Sequence, residues 1–399
     1  MARRSIRLSE AFLDFLANEQ AGSVILILCT IASLIIANTA FGPDYVNFWH
    51  GHLGPLTVEL WINDLLMAIF FLLIGLELKR ELFDGELSSV KRALLPVIAA
   101  LGGIIVPAAI HFSFNQGTPT QAGIGIPMAT DIAFALGAIS LLGGRVPASL
   151  KVFLVALAVM DDLGAIIVIA VFYTAKLNFV YLLGAFAVIA LLGVLNRLRV
   201  MSLVPYLLFG VLAWYLMFRS GVHATIAGVL LAFTIPFKHN AAEKISPSNI
   251  LETMLHKPVA FLILPIFALA NTGIIIDPNW TLKLREANSL GIMAGLVIGK
   301  PIGIALASYA AVAAGICRLP LDLNWKHIFG AGLLGGIGFT MSIFITNLAF
   351  AGDMQMITES KMAILIASAM AGIIGFIWLR IMGAPNQGDT DLDTMDLDE

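Results

Sequence analysis

Long apolar runs, each about long enough to cross a bilayer and separated by short polar breaks, recur from one end of the chain to the other. A membrane helix needs roughly 20 predominantly apolar residues. The runs predict twelve such helices, near residues 12–38, 61–78, 93–112, 121–144, 148–175, 178–195, 201–217, 221–237, 250–276, 288–316, 327–351 and 360–383. No stretch between them reads as a separate soluble domain. The expected fold class is all-α and polytopic, one membrane domain over residues 1–384 followed by an acidic, disordered tail over residues 385–399.

Composition narrows the class further. Hydrophobic residues make up 59% of the chain and charged residues only 12%, where soluble domains run nearer a quarter charged. A water-soluble fold cannot hide that much apolar surface. Arg3, Arg4 and Arg7 precede the first run, a pattern shared with signal peptides, but the further runs argue for a retained first span. With the N-terminus on the cytoplasmic side, seventeen of the 23 Lys and Arg fall in the cytoplasmic loops and five outside, with Lys300 inside a span. This asymmetry predicts that both termini are cytoplasmic. Cys29 and Cys317 lie in or at the end of apolar runs, so neither a disulfide framework nor a cysteine metal site is indicated.

Ionisable groups inside spans are costly, about 3 kcal/mol each at a helix centre on some scales, and so mark ion pathways. The deep ones are Asp131, Asp161, Asp162 and Lys300, while Asp64, Glu77 and Glu252 lie nearer span ends. Asp161 and Asp162 are adjacent in Leu154-Val-Ala-Leu-Ala-Val-Met-Asp-Asp-Leu-Gly-Ala-Ile-Ile. Two carboxylates roughly 6 Å apart at an effective dielectric near 20 repel by about 3 kcal/mol, so the pair titrates in coupled steps. Deprotonated, it is an oxygen-rich site for a hard cation. Protons and a small cation therefore compete for the same oxygens.

Around this pair stand features with more than one reading. In Gly123-Ile-Gly-Ile-Pro-Met-Ala-Thr-Asp, Pro127 and two glycines predict a broken helix with Thr130 and Asp131 at the break. Asp131 either neutralises the positive ends of half-helices or binds the cation directly. The run Gly330-Ala-Gly-Leu-Leu-Gly-Gly-Ile-Gly-Phe-Thr is a second interrupted span. Two such spans in corresponding halves, residues 91–175 and 287–383, point to inverted-topology repeats with a midplane site; close helix packing is the other account of the glycines. Lys300 needs a partner, as a structural ion pair with a deep Asp or as a proton carrier. Glu77, Arg80 and Glu81 share one helix end, either a solvated terminus or a sensor. His223 and His256 suit pH sensing by type, or are structural.

Five runs carry a family resemblance: Ala129-Thr-Asp-Ile-Ala-Phe-Ala-Leu-Gly, Met160-Asp-Asp-Leu-Gly-Ala-Ile-Ile, Gly221-Val-His-Ala-Thr-Ile-Ala-Gly, Ile298-Gly-Lys-Pro and Gly336-Ile-Gly-Phe-Thr-Met-Ser-Ile-Phe. In order and spacing they resemble the bacterial NhaA-type sodium/proton antiporters, over essentially the whole chain to about residue 383. The resemblance implies a homodimeric exchanger of the inner membrane that expels Na+ or Li+, admits more than one proton per ion and is activated at alkaline pH. It implies no cofactor beyond the transported ions and no nucleic-acid partner. By matching motif, Asp162 is the cation ligand, Asp161 the partner of Lys300, and Thr130 and Asp131 mark the crossing of the broken helices. Glu77, Arg80, Glu81, His223, Glu252 and His256 match positions tied to pH regulation. The segment from Phe41 to Glu59 would be a dimer hairpin, and helices outside the two repeats would form the dimer-interface domain. Asn249 and Ile250 stand where relatives can carry basic residues, and the acidic tail has no counterpart in the family pattern.

Two other classes fit less well. An intramembrane aspartyl protease carries a Gly-x-Gly-Asp motif, which is absent around Asp131 and Asp161. A cation channel needs a ring of symmetric ligands, and one asymmetric acid pair does not supply it.

Overall fold

The computed structural model describes residues 19–173, 177–237 and 246–383. The tail at 385–399, the basic residues Arg3, Arg4 and Arg7, and Lys176, Lys238 and Lys244 lie outside the described residues. In chain order the helices are α1 Glu19–Ala37, α2 Gly42–His50, α3 Val58–Phe83, α4 Val90–Asn115, α5 Ile132–Ser140, α6 Ala148–Phe172, α7 Phe179–Arg197, α8 Leu203–Ser220, α9 Ile226–Thr234, α10 Pro247–Asn271, α11 Ala287–Ala313, α12 Trp325–Gly335, α13 Phe339–Ala349 and α14 Met354–Met382. A 3-10 helix, Pro119–Met128, precedes α5.

Among the described residues nine helices are long and apolar enough to cross a membrane, or up to eleven if each bent pair counts as one span. The expected twelve is therefore not reached by length alone. The shortfall falls at the run 221–237, whose regular helix α9 has nine residues and reaches only about 14 Å. The turn at Gly221, with φ +85°, and the extended Ile235 before Pro236 take up the rest of that run. The segment from Phe41 to Glu59 also departs from expectation. About half of it is α2, and the hairpin shrinks to His52–Leu53 paired with Leu56–Thr57 around Gly54 and Pro55.

Local chemistry accounts for where the helices start. Thr57, Asn178, Ser246, Asn324 and Asp353 each accept a backbone N–H of the first turn of α3, α7, α10, α12 and α14, satisfying donors that have no partner within the helix. Small residues then set how closely helices pack. Gly102 of α4 faces Gly303 of α11 so tightly that a methyl group on either would collide with the other's carbonyl, the close backbone approach that membrane interfaces use. Around the helices α3, α7, α8, α9 and α10, a separate core forms from Leu72, Leu76, Leu192, Tyr206, Leu231, Ile235 and Leu251.

Candidate functional site

Two interruptions build the site. The first is the extended stretch Ala129, Thr130 and Asp131 between the 3-10 helix and α5. Pro127 lies within the 3-10 helix rather than at the break, which falls after it, where Asp131 caps α5 through Phe134 N at 3.0 Å. The second is Gly336, Ile337 and Gly338, where α12 and α13 meet at 47°. The two breaks touch: the Asp131 N–H donates to Ile337 O at 2.6 Å.

Each of the four helix ends at this crossing has a partner. Asp131 Oδ1 takes the N-terminus of α5, while its Oδ2 accepts the Thr340 N–H at 3.0 Å and the Thr340 hydroxyl at the N-terminus of α13. One buried carboxylate thus faces two positive helix ends, the arrangement that compensates both dipoles. On the opposite side Lys300 Nζ donates to Met128 O, the last carbonyl of the 3-10 helix, and lies 2.6 Å from Asp161 Oδ2. The Thr130 hydroxyl lies 2.6 Å from Asp161 Oδ2 and 2.8 Å from Gly335 O at the end of α12. Its single proton serves one of those acceptors at a time.

Lys300 is positioned by its own helix. A π-helical stretch, Gly295–Gly299, runs directly into Lys300 and Pro301. The missing Pro301 N–H leaves a backbone carbonyl one turn back without its usual donor, and such bulges recur at functional sites. Lys300 and Asp161 are both fully buried.

Asp162 stands apart from this network. Consecutive helical side chains point about 100° apart, so Asp161 turns to Thr130 and Lys300 while Asp162 lines a cavity of about 400 Å3. Asp162 is 1% exposed, and neither of its oxygens has a hydrogen-bond partner among the described residues; Asp161 Oδ1 is likewise unpartnered. Unpaired buried carboxylate oxygens are expensive, and a proton or a small cation is what satisfies them. The cavity also contains Asp131, Thr340, Lys151, Glu77, Arg80, Glu81 and His256.

Glu77, Arg80, Glu81, Glu252 and His256 converge where α3 and α10 meet beside this cavity. Arg80 Nε lies 2.9 Å from Glu252, its terminal nitrogen 3.1 Å from Glu81, and His256 Nε2 4.0 Å from Glu77. His223 is not with them; its Nε2 meets Tyr173 O at 2.7 Å, and the Tyr173 hydroxyl accepts from Gly125 N and donates to Ala122 O in the 3-10 helix. Sequence reasoning missed Thr340. The signal was there, a hydroxyl residue just after the glycines of the second break, where a helix N-terminus needs acceptors and donors arranged around it. Among the described residues no group of three or more His, Cys, Asp and Glu is placed to hold a metal ion.

Interrupted membrane helices that meet at buried charges, with an acid at the bottom of an open cavity, define a membrane ion transporter. The profile of the Na+/H+ antiporter 1 family matches residues 13–379. The chain is 65% identical over 380 residues to the Na+/H+ antiporter NhaA of Dechloromonas aromatica, covering 95% of this chain and 98% of that protein. It is 57% identical to the NhaA protein of Cytophaga hutchinsonii, over 94% and 96% of the two chains. With that of Mesorhizobium japonicum it shares 50% identity, over 96% and 97%. The chain belongs to the Na+/H+ antiporter 1 family.

Proposed function

We propose that this chain is an electrogenic, pH-regulated Na+/H+ antiporter that expels Na+, and Li+ at the same site, in exchange for protons. The observation that carries the reading is the division of labour between the adjacent acids. Asp161 is held by Thr130 and Lys300, whereas Asp162 keeps two unpartnered oxygens at the end of an open cavity. A cation entering that cavity displaces a proton from Asp162 and draws on Asp161, competing with Lys300 for the same carboxylate. Return of the Lys300 pair and reprotonation of Asp162 expel the cation. Lys300, left without its carboxylate partner, gives up a proton as well and regains it when the pair re-forms, so Asp162 and Lys300 together exchange two protons per ion.

In this reading Asp131, Thr130 and Lys300 hold the crossing while Asp161 and Asp162 ligate the ion. Glu77, Arg80, Glu81, Glu252 and His256 set the pH response from the cavity wall. Twelve membrane segments, α9 with its flanking turns making one of them, put both termini in the cytoplasm and make residues 91–175 and 287–383 inverted repeats. The remaining helices and the small hairpin form the face of a homodimer. The test uses everted vesicles with an acidified lumen and a proton-sensitive dye. Added Na+ releases protons through the native protein, and Asp162→Asn abolishes the response; a variant that still releases protons on Na+ addition refutes the assignment.

A further inference from the structure

A second and larger cavity, about 670 Å3, reaches the crossing from the outside of the bundle, between α1, α5 and α14. Its volume is that of a small-molecule pocket, but its wall offers nothing to a polar ligand. Ile27 and Ile31 of α1, Ala138 of α5 and Ile373 of α14 line it. The hydroxyls on the wall are already turned to the backbone. Ser23 donates to Ala133 O at 2.7 Å, Thr30 donates to Leu26 O at 2.8 Å, and Ser368 accepts the Phe339 N–H at 3.1 Å. Gly137, Ala369 and Gly372 bring no bulk to fill the space. A wall of this kind gains its contacts by dispersion alone, and a chain of methylenes supplies them.

The groove has a direction and a length. Its deep end is the crossing itself, floored by Ile337 and by the rings of Phe134 and Phe339, whose centroids are 4.8 Å apart. Along α14 it runs from Leu365 to Ile377, a rise of about 18 Å. One leaflet of the hydrocarbon core is about 15 Å deep. The groove therefore matches a single acyl chain reaching from the headgroup level to the midplane. At the shallow end the stripe of Ile373, Phe376 and Ile377 continues along the same helix face into exposed Arg380, in the last turn of α14. Exposed Arg145 follows the end of α5, and the next residue, Val146, has its side chain beside Gly383 at the end of α14. The two chain segments that carry Arg145 and Arg380 thus meet at the mouth of the groove. Guanidinium groups pair with phosphate through parallel hydrogen bonds.

We propose that this groove binds an anionic phospholipid of the leaflet that meets Arg145 and Arg380. The phosphate is held between the two guanidinium groups, and one acyl chain lies along α1, α5 and α14 with its end against Phe134 and Phe339. An anionic headgroup is favoured over a zwitterionic one because each Lys or Arg near the membrane surface strengthens its binding by about fivefold. The position gives the lipid its effect. α5 is a wall one helix thick, with Phe134, Ala138 and Leu141 toward the groove and Leu136, Ile139 and Ser140 toward the ion cavity. α1 is fixed to α10, with Gly22 against Ala260 and the Ser33 hydroxyl donating to Leu269 O, and it meets α5 at Ser23. Between α1 and α14 the acyl chain takes the place of protein, a filling that changes shape at little cost when the crossing moves.

The test places the protein in phosphatidylcholine vesicles with a small share of phosphatidylglycerol whose acyl chain carries a diazirine, either near the glycerol or at the chain end. After photolysis the labelled peptides are mapped. The shallow probe marks Leu141 or Ile377, and the chain-end probe marks Phe134, Phe339 or Leu365. Arg145→Gln combined with Arg380→Gln lowers this labelling by roughly tenfold, to the level reached by a phosphatidylcholine probe. Ala369→Trp, which fills the groove from the exposed face of α14, displaces the chain-end label. Equal labelling by the two lipids, labelling spread evenly over the outward faces of α7 and α8, or no response to Ala369→Trp overturns the proposal. So does a disulfide formed in the membrane between two copies of Ile27→Cys in a Cys29→Ser/Cys317→Ser protein, because a second chain then covers the groove. The readout is lipid labelling and not exchange, so it stands apart from the outcome of the Asp162→Asn test.

Discussion

Replacing Lys300 by Ala probes the centre of the crossing, and the structure sets its size. Lys300 Nζ and Asp161 Oδ2 are 2.6 Å apart with both side chains fully buried. At an effective dielectric near 20 their attraction is about 6 kcal/mol, against a desolvation penalty of several kcal/mol for each ion. The intact pair is thus close to neutral for stability, but removing one member leaves a buried charge and costs about 3–5 kcal/mol. Met128 O also loses its donor. At about 2 °C per kcal/mol for a large domain, the apparent Tm of Lys300→Ala falls by roughly 6–10 °C. Lys300→Ala combined with Asp161→Asn removes both charges and recovers at least about 2 kcal/mol of that loss. The assay is thermal unfolding of the purified protein in detergent, followed by tryptophan fluorescence, for both single variants and the double. Losses that add to within about 0.5 kcal/mol would show that the two groups do not interact, and the account of the site built on their pairing would fail.

Two further predictions concern stability. Thr340→Val keeps the backbone donor to Asp131 and deletes the hydroxyl; loss of a hydrogen bond to a charged group costs about 1.5–3 kcal/mol, read as a fall of roughly 3–6 °C in the same assay. Gly303→Val drives a side chain into the Gly102 carbonyl and destabilises by about 1–3 kcal/mol or more, whereas Gly193→Ala, with open space around it, stabilises α7 by up to about 1 kcal/mol; equal effects at the two positions would contradict the close approach.

The acids of the site were legible in the sequence because a charge in an apolar run is conspicuous. Asp161 and Asp162 stand out against the residues around them, and their adjacency forces them onto different helix faces, one toward Lys300 and one toward the cavity. The first break was legible in kind but not in place. Proline announces a lost hydrogen bond, yet the 3-10 geometry absorbs Pro127, and the chain opens only where Asp131 can cap the next helix. The run at 221–237 has the apolarity of a span without the helix length, because turns at both ends shorten it. Asn63, Asn271 and Asn347, whose amides hydrogen-bond to one another, gave no signal, since lone amides in apolar runs are unremarkable and their convergence is a property of packing. Lys361 reads as a loop cation by position but is buried beside Glu59.

Asp131 acts as a rivet. Its one carboxylate fastens the starts of α5 and α13 together, and its backbone N–H fastens the same spot to Ile337. Prising the halves apart would strip several donors of their acceptor at once in a medium with no water to replace it. The crossing is therefore stiff, and whatever carries the ion from one side to the other has to turn it as a single block. The surface against which that block can slip is the cavity wall, where α3 and α10 present Leu73, Ile74, Val259 and Leu264. Apolar side chains there can change neighbours without giving up a directional bond, so the moving joint lies beside the ion site and not within it.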